Sequence, residues 1–109
     1  MSETPLFAKF HDLMAWLTPA VEKFPRAQRF LLASRLMDTA FACHGELIRA
    51  RKVTGQARAE ALLQADVALE TLRLQWRLAQ ETKCISTDQY EHGGKLMDEV
   101  GRLLGAWRK

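Results

Sequence analysis

The spacing of apolar residues constrains this chain most strongly, because along most of its length such residues recur at intervals of three and four. This is the period of an α-helix that buries one face. Thr4 and Pro5 stand before the first such segment, where a capping threonine and a first-turn proline favour the start of a helix. The apolar face of that segment comprises Leu6, Phe10, Leu13, Leu17, Val21 and Phe24. The pattern predicts an all-α protein.

Three breaks divide this pattern into helices. Pro25 disfavours helical backbone at Phe24 and suits the first turn of the next helix. Gly55 interrupts the second pattern, and Ser86 followed by Gln89 has the spacing of a capping box. We therefore expect helices over residues 5–23, 26–52, 57–83 and 87–106 of a single 109-residue domain.

Short connections make consecutive helices antiparallel, so the expected fold is an up-down-up-down four-helix bundle. The second and third helices carry broad apolar arcs. In the second, two stripes lie side by side: Ala27, Phe30, Met37, Phe41 and Ile48, and Ala33, Leu36, Ala40, Cys43 and Leu47. In the third, the main stripe is flanked by Leu63, Val67, Leu74 and Leu78. Helices of this kind contact two neighbours or a partner subunit.

Gly101 and Gly105 lie one turn apart in the last helix. Each is less favourable there than alanine by roughly 1 kcal/mol. Their presence indicates either that another backbone approaches closely or that the end of the helix frays.

The composition is that of a folded protein, with 48% hydrophobic and 27% charged residues. No apolar run reaches the ~20 residues needed to cross a bilayer, and the first residues lack the basic and apolar regions of a secretory signal. We expect a cytoplasmic protein without a membrane anchor. Cys43 and Cys84 fall inside helical patterns, which favours reduced thiols over a disulfide.

The sequence carries no recognisable catalytic motif. Its histidines, His11, His44 and His92, are not part of the Glu-x-x-His pairs that hold two metals in helical bundles. Asp88 and His92 lie one turn apart, which favours a surface pair over a metal half-site. A glycine-rich phosphate loop, a nucleophile elbow and a Cys-x-x-Cys pair are also absent from the sequence. We expect a binding protein without catalysis, metal or cofactor.

The net charge of +3 is unevenly distributed, because residues 25–58 alone carry +5. Cations at the carboxyl ends of helices are stabilised by the helix dipole, and the bundle brings two such ends to one pole, beside Arg58. Arg26 and Arg29 occupy a first turn, where the dipole disfavours them, and Arg73 and Arg77 repel each other across one turn.

These charges give a set of candidate residues for binding nucleic-acid phosphates or the acids of a partner. The alternatives are an intramolecular pair, such as Arg73 with Glu70, or a solvated surface charge. The candidates are Arg26, Arg29, Arg35, Arg49, Arg51, Lys52, Arg58, Arg73 and Arg77.

Four motifs carry a resemblance to a known family. They are Phe24-Pro25-Arg26-x-x-Arg29-Phe30, Leu72-Arg73-Leu74-x-x-Arg77-Leu78-Ala79, Ser86-Thr87-x-Gln89-Tyr90-Glu91 and Gly101-Arg102-x-Leu104-Gly105-x-Trp107. With them the chain resembles the accessory variability determinant family of diversity-generating retroelements. That family is related to the four-helix-bundle proteins encoded in ribosomal RNA intervening sequences.

The resemblance implies a pentameric barrel of four-helix subunits that binds the reverse transcriptase of the retroelement and associates with RNA or DNA. It also implies an accessory role in mutagenic homing, with all polymerase chemistry in the partner. The alternative is a structural homo-oligomer of the intervening-sequence type, without a reverse-transcriptase partner.

Overall fold

The protein is described by a computed structural model that covers the backbone of residues 3–109 and the side chains from Pro5 onward. The described residues form helices and connections, with no strand among them. We label the helices α1 (Glu3–Glu22), α2 (residues 26–52), α3 (Gly55–Glu81) and α4 (Thr87–Arg108). The predicted capping by Thr4 concerns a side chain outside the described part.

The four helices pack as a bundle with principal extents of 43 × 22 × 18 Å. The closest pairing is between α2 and α3, and there the Cys43 thiol donates to the carbonyl of Ala65 at 3.3 Å. Helix α4 packs against both α3 and α1, and α1 contacts α2 less extensively than it contacts α4. This arrangement confirms the predicted all-α, four-helix fold.

The core lies along the bundle axis and contains the predicted apolar face of α1. Burial of a large apolar side chain stabilises the fold by roughly 1.5–3 kcal/mol relative to its exposure. The largest side chains that are fully buried are Trp76, Phe10, Phe24, Leu6, Leu13, Leu17, Leu36, Leu47, Leu62, Leu72, Met97 and Leu104.

Helix α2 contains an irregularity that the sequence pattern does not predict. After the turn Arg26–Gln28, residues Arg29–Ala33 form a π-helical segment, and regular α-helix resumes over Ser34–Lys52. The amide of Ser34 donates to the carbonyl of Arg29, five residues back instead of four. Because such a segment accommodates an extra residue, it shifts the side chains that precede it relative to those that follow.

The ends of α3 differ from the predicted ones by two residues each. The helix begins at Gly55, whose φ of 60° is left-handed, instead of at residue 57. It ends at Glu81, because Lys83 adopts a left-handed φ of 63°. Lys83 and Cys84 then donate their amides to the carbonyls of Gln80 and Ala79, at 3.0 and 2.8 Å. This is the Schellman pattern of helix termination, with lysine in the position that glycine usually takes.

Helix α4 begins with the capping box that its sequence indicates. The amide of Gln89 donates to the Ser86 hydroxyl at 3.1 Å, and the amide of Ser86 donates to the Gln89 side chain at 2.9 Å. The helix continues to Arg108, two residues beyond the predicted end.

Within the described chain, no other backbone approaches Gly101 or Gly105 closely, which was the first of the two alternatives for these glycines. Gly101 faces the guanidinium of Arg73, and a Cβ atom on Gly105 would meet nothing within 4 Å. The tight approach occurs at Gly93, where a Cβ atom would lie 2.7 Å from the Trp76 indole ring. The indole also donates to the carbonyl of Tyr90 at 3.1 Å, so a side chain, not a backbone, fills the space.

Candidate nucleic-acid and partner interfaces

The structure separates the candidate cations into three groups, the first of which lies at the start of α2. Arg26, Arg29 and Arg35 are all exposed. Arg29 donates from its Nε to the carbonyl of Phe24 at 3.2 Å. None of the three forms an ion pair with a side chain of residues 5–109. Beside them, the π-helical segment presents Phe30 and Leu31, which are 81% and 69% exposed.

The second group lies where α2 ends and α3 begins, and it comprises Arg49, Arg51, Lys52 and Arg58. Arg49 pairs with Glu46 on its own helix at 2.9 Å. The guanidinium carbon of Arg51 lies over the Phe7 ring, 4.3 Å from its centroid.

On the other side of this pole, the guanidinium carbon of Arg58 lies 5.3 Å from the centroid of the Trp107 ring. Its Nη2 donates to the carbonyl of Trp107 at 2.8 Å and so satisfies a free carbonyl at the end of α4. The Phe7 and Trp107 rings meet edge to face, with centroids 5.9 Å apart.

Phe7, Arg51, Arg58 and Trp107 therefore form a continuous set of contacts to which each of the four helices contributes one residue. We call this set the stacked pole. It shows that the ends of α2 and α4 meet beside Arg58, as the bundle topology predicts. The aromatic members were not among the candidate residues, since their apolar character assigns them to the core. The signal that could have revealed them is their position at the same predicted end of the bundle as the arginines.

The third group, on α3, is occupied by intramolecular contacts. Arg77 pairs with Glu81 at 3.3 Å. Arg73 lies 3.7 Å from Asp98 and donates weakly to the carbonyl of Met97 at 3.4 Å, so its acidic neighbour is Asp98 and not Glu70. Both arginines thus lie beside an acid of the same chain.

A cleft of about 390 Å³ opens beside Arg73, between α3 and α4. The Nε atom of Arg73 is buried next to it without a hydrogen-bond partner. The rim combines Lys95 with the acids Glu91 and Asp98. With Arg73, two cations and two acids line the cleft, so their formal charges sum to zero.

The two predicted apolar stripes of α2 differ in burial. The stripe that contains Leu36, Cys43 and Leu47 is fully buried. Its neighbour is mostly open to solvent, and Phe41, for example, is 61% exposed. Phe41 lies along the seam between α1 and α2, where it lines a pocket of about 210 Å³ with Phe10, His11, Met14 and His44. We call the surface formed by these five residues the seam surface.

The flanking stripe of α3 forms a second apolar surface. Its residues are 40% to 56% exposed, and helical spacing places them on the side of α3 that faces away from the core. We call them the outer surface; they are Leu63, Val67, Leu74 and Leu78. A monomer with two separate exposed apolar surfaces has the features of a protein that binds partners.

Two of the three histidines contact aromatic rings. The His44 ring contacts Phe10 at a centroid distance of 5.4 Å, and the His92 ring contacts Trp16 at 4.8 Å. Within the described part of the chain, no three His, Cys, Asp or Glu side chains converge as a metal site would require. Burial, helped by the charges of Asp66 and Glu46, raises the pKa of the Cys43 thiol to about 12.

The comparison with known families decides what kind of protein carries these surfaces. The sequence profile of the bAvd-like family matches residues 6–109. The chain belongs to this family. The resemblance to accessory variability determinants that the four motifs indicate is thereby confirmed. The bAvd-like proteins are accessory and non-catalytic as a family. No curated protein sequence matches the chain.

The solved structures add support for the fold of this bAvd-like protein. One similar structure is a protein of unknown function from the S23 ribosomal protein family of Bacteroides thetaiotaomicron. It superposes with a TM-score of 0.88, over 99% of this chain and 98% of its own, at 14% identity. At that identity the likeness establishes a shared helical fold. None of the helices described, from Glu3 to Arg108, combines the length and apolar character needed to cross a membrane.

Proposed function

We propose that this protein is a non-catalytic accessory subunit of a diversity-generating retroelement. In this role it self-associates, binds the reverse transcriptase and holds nucleic acid during mutagenic reverse transcription and homing in the cytoplasm. The observation that carries the proposal is membership of the bAvd-like family over residues 6–109.

Two features of the surface support self-association. The seam surface and the outer surface differ in position and composition, so contact between them is heterologous. Heterologous contacts generate a closed ring when the rotation from one subunit to the next brings the last subunit into contact with the first. A pentameric barrel, the assembly implied by the family resemblance, is such a ring.

The exposed cations support contacts with nucleic acid. Arg26, Arg35 and Arg51 form no ion pair with a side chain of residues 5–109. Arginine offers a planar fork of donors that suits phosphate oxygens. Exposed arginines without an acid partner are therefore available to a polyanion.

The experiment that tests the proposal uses the reverse transcriptase of the retroelement that the proposal assigns to this protein. Tagged protein should retain the purified enzyme on a column and bind a labelled single-stranded oligonucleotide, with an affinity that falls steeply as salt increases. Retention of neither ligand at low salt, roughly 50 mM, would refute the proposal. A double variant, Arg26→Gln with Arg35→Gln, tests the start of α2. If it fails to retain the enzyme while Arg102→Gln still does, the start of α2 contacts the reverse transcriptase.

A structural homo-oligomer of the intervening-sequence type, without a polymerase partner, is the second candidate, and the shared fold with an S23-family protein is compatible with both roles. Gene neighbourhood separates the two. A reverse-transcriptase gene with a template repeat beside this gene agrees with the first, and insertion within a ribosomal RNA gene agrees with the second.

A further inference from the structure

The arginines of the stacked pole make contacts with aromatic rings that helix stability does not require. A cation near the end of a helix interacts with the dipole wherever its side chain points. Here Arg51 and Arg58 each lie over an aromatic ring, and the two rings contact each other. The two guanidinium groups, from α2 and α3, thus contact aromatic residues of α1 and α4.

Contact with a ring face leaves the donors of a guanidinium available. The attraction acts between the positive charge and the electron-rich face of the ring, whereas the N–H groups lie in the guanidinium plane. Arg51 is exposed and donates to no other described group, and Arg58 uses one Nη for the Trp107 carbonyl. Both can donate further hydrogen bonds outward.

Further cations lie near the stacked pole. Lys52 follows Arg51, and Arg108 and Lys109 follow Trp107. Among these five cations, counting Arg51 and Arg58, the one ion pair with a described side chain joins Arg108 to Asp66 at 3.2 Å. The pole therefore attracts anions, unlike the cleft beside Arg73.

We infer that the stacked pole is the site at which this protein binds nucleic-acid phosphates, with Arg51 and Arg58 as the donors and the Phe7 and Trp107 rings as their supports. The inference rests on the proposed function and assigns its nucleic-acid contact to one end of the bundle. Because the rings already restrict these side chains, less conformational entropy is lost when a phosphate binds.

The test measures binding of a fluorescently labelled single-stranded oligonucleotide by anisotropy across a salt series. Arg51→Gln should weaken binding and reduce the slope of log affinity against log salt by about one. Arg51→Lys should restore the slope but not the full affinity, since lysine keeps the charge and loses the planar fork. Phe7→Leu should lower affinity with the slope unchanged.

Arg102→Gln is the matched control, because Arg102 is exposed and pairs with Glu99 on its own helix. It should leave both affinity and slope at wild-type values. Arg58→Gln is secondary evidence, since it also removes a contact at the end of α4. Circular dichroism checks that each variant stays helical.

The outcomes separate the two proposals. If the wild-type protein binds and Arg51→Gln keeps its affinity and slope, the stacked pole is the wrong site and the proposed function stands. If Arg102→Gln lost as much oligonucleotide affinity as Arg51→Gln, the loss would follow from the change in net charge, and the inference would also be overturned. If the wild-type protein binds no oligonucleotide, the nucleic-acid part of the proposed function fails as well.

Discussion

At the scale of single residues, the contact between Gly93 and Trp76 fixes the distance between α3 and α4. The indole is 1% exposed and is anchored by its hydrogen bond to Tyr90. It cannot move aside as the end of a flexible side chain could, so α4 approaches only where it lacks a Cβ atom.

Gly93→Ala should therefore destabilise the fold by about 1–3 kcal/mol, as overpacking of a rigid core does. Gly94→Ala is the control, since a Cβ atom there meets nothing within 4 Å. It should stabilise the protein by ~0.5–1 kcal/mol through helix propensity alone. Urea denaturation of both variants measures the difference, and equal effects would contradict this account of Gly93.

The two thiols should differ in reactivity, because the thiolate is the reactive form. Burial raises the pKa of Cys43 to about 12, so it stays protonated and enclosed at neutral pH. Cys84 is partly exposed. Titration with a thiol reagent at pH 8 should modify one thiol in the native protein, and two after denaturation. Rapid labelling of native Cys84→Ser protein would show that Cys43 is accessible after all.

At the scale of helices, the end of α3 contains a residue with an unfavourable backbone conformation. Lys83 takes the left-handed conformation that completes the Schellman pattern, although side chains with a Cβ atom disfavour it. The connection to α4 needs this residue to reverse the chain within the five residues between Glu81 and Thr87.

Lys83→Gly should relieve this strain and raise the free energy of unfolding by roughly 1 kcal/mol. Lys95→Gly, at an exposed site inside α4, should lower it by a similar amount, because glycine disfavours a helix interior. Thermal unfolding of both variants provides the test. A loss of stability in Lys83→Gly would mean that the lysine side chain stabilises the turn.

The helices themselves could be predicted from the sequence because their signals are local. Apolar spacing marks the buried faces, and Pro25 and Ser86 mark ends by their own chemistry. The end at Lys83 could not be predicted, since lysine carries no preference for a left-handed φ. The π-helical turn at Arg29–Ala33 could not be predicted either, because apolar spacing was compared with the period of a regular α-helix.

At the scale of the whole molecule, the exposed apolar surfaces should determine the assembly state. The double variant Val67→Glu with Leu74→Glu places two charges on the outer surface. Any subunit contact formed there would have to bury them. This double variant should remain helical and elute as a 12.4 kDa monomer, while the wild type forms a larger ring. Light scattering measures both masses.

Thr87→Glu with Ala106→Glu is the matched control, because both residues are exposed on α4 and belong to neither apolar surface. It should keep the wild-type mass. A monomeric wild type at high concentration would contradict self-association through the outer surface.

The interaction surfaces were only partly predictable from the sequence. Broad apolar arcs on α2 and α3 indicated a surplus of apolar positions, but periodicity alone could not show that Leu36 is buried while Phe41 is exposed. Charge excess pointed to residues 25–58, but the neutralisation of Arg73 and Arg77 depends on contacts with particular acids. The role of Phe7 and Trp107 beside the arginines requires the packed structure.

The close pairing of α2 with α3 also bears on how the chain folds. These helices are neighbours in sequence, separated only by Val53 and Thr54, so their contacts close a short loop and should form early. The contact between α1 and α4 joins the two ends of the chain and carries the largest closure entropy. Substitutions in the hairpin should therefore slow folding, and those between α1 and α4 should mainly accelerate unfolding.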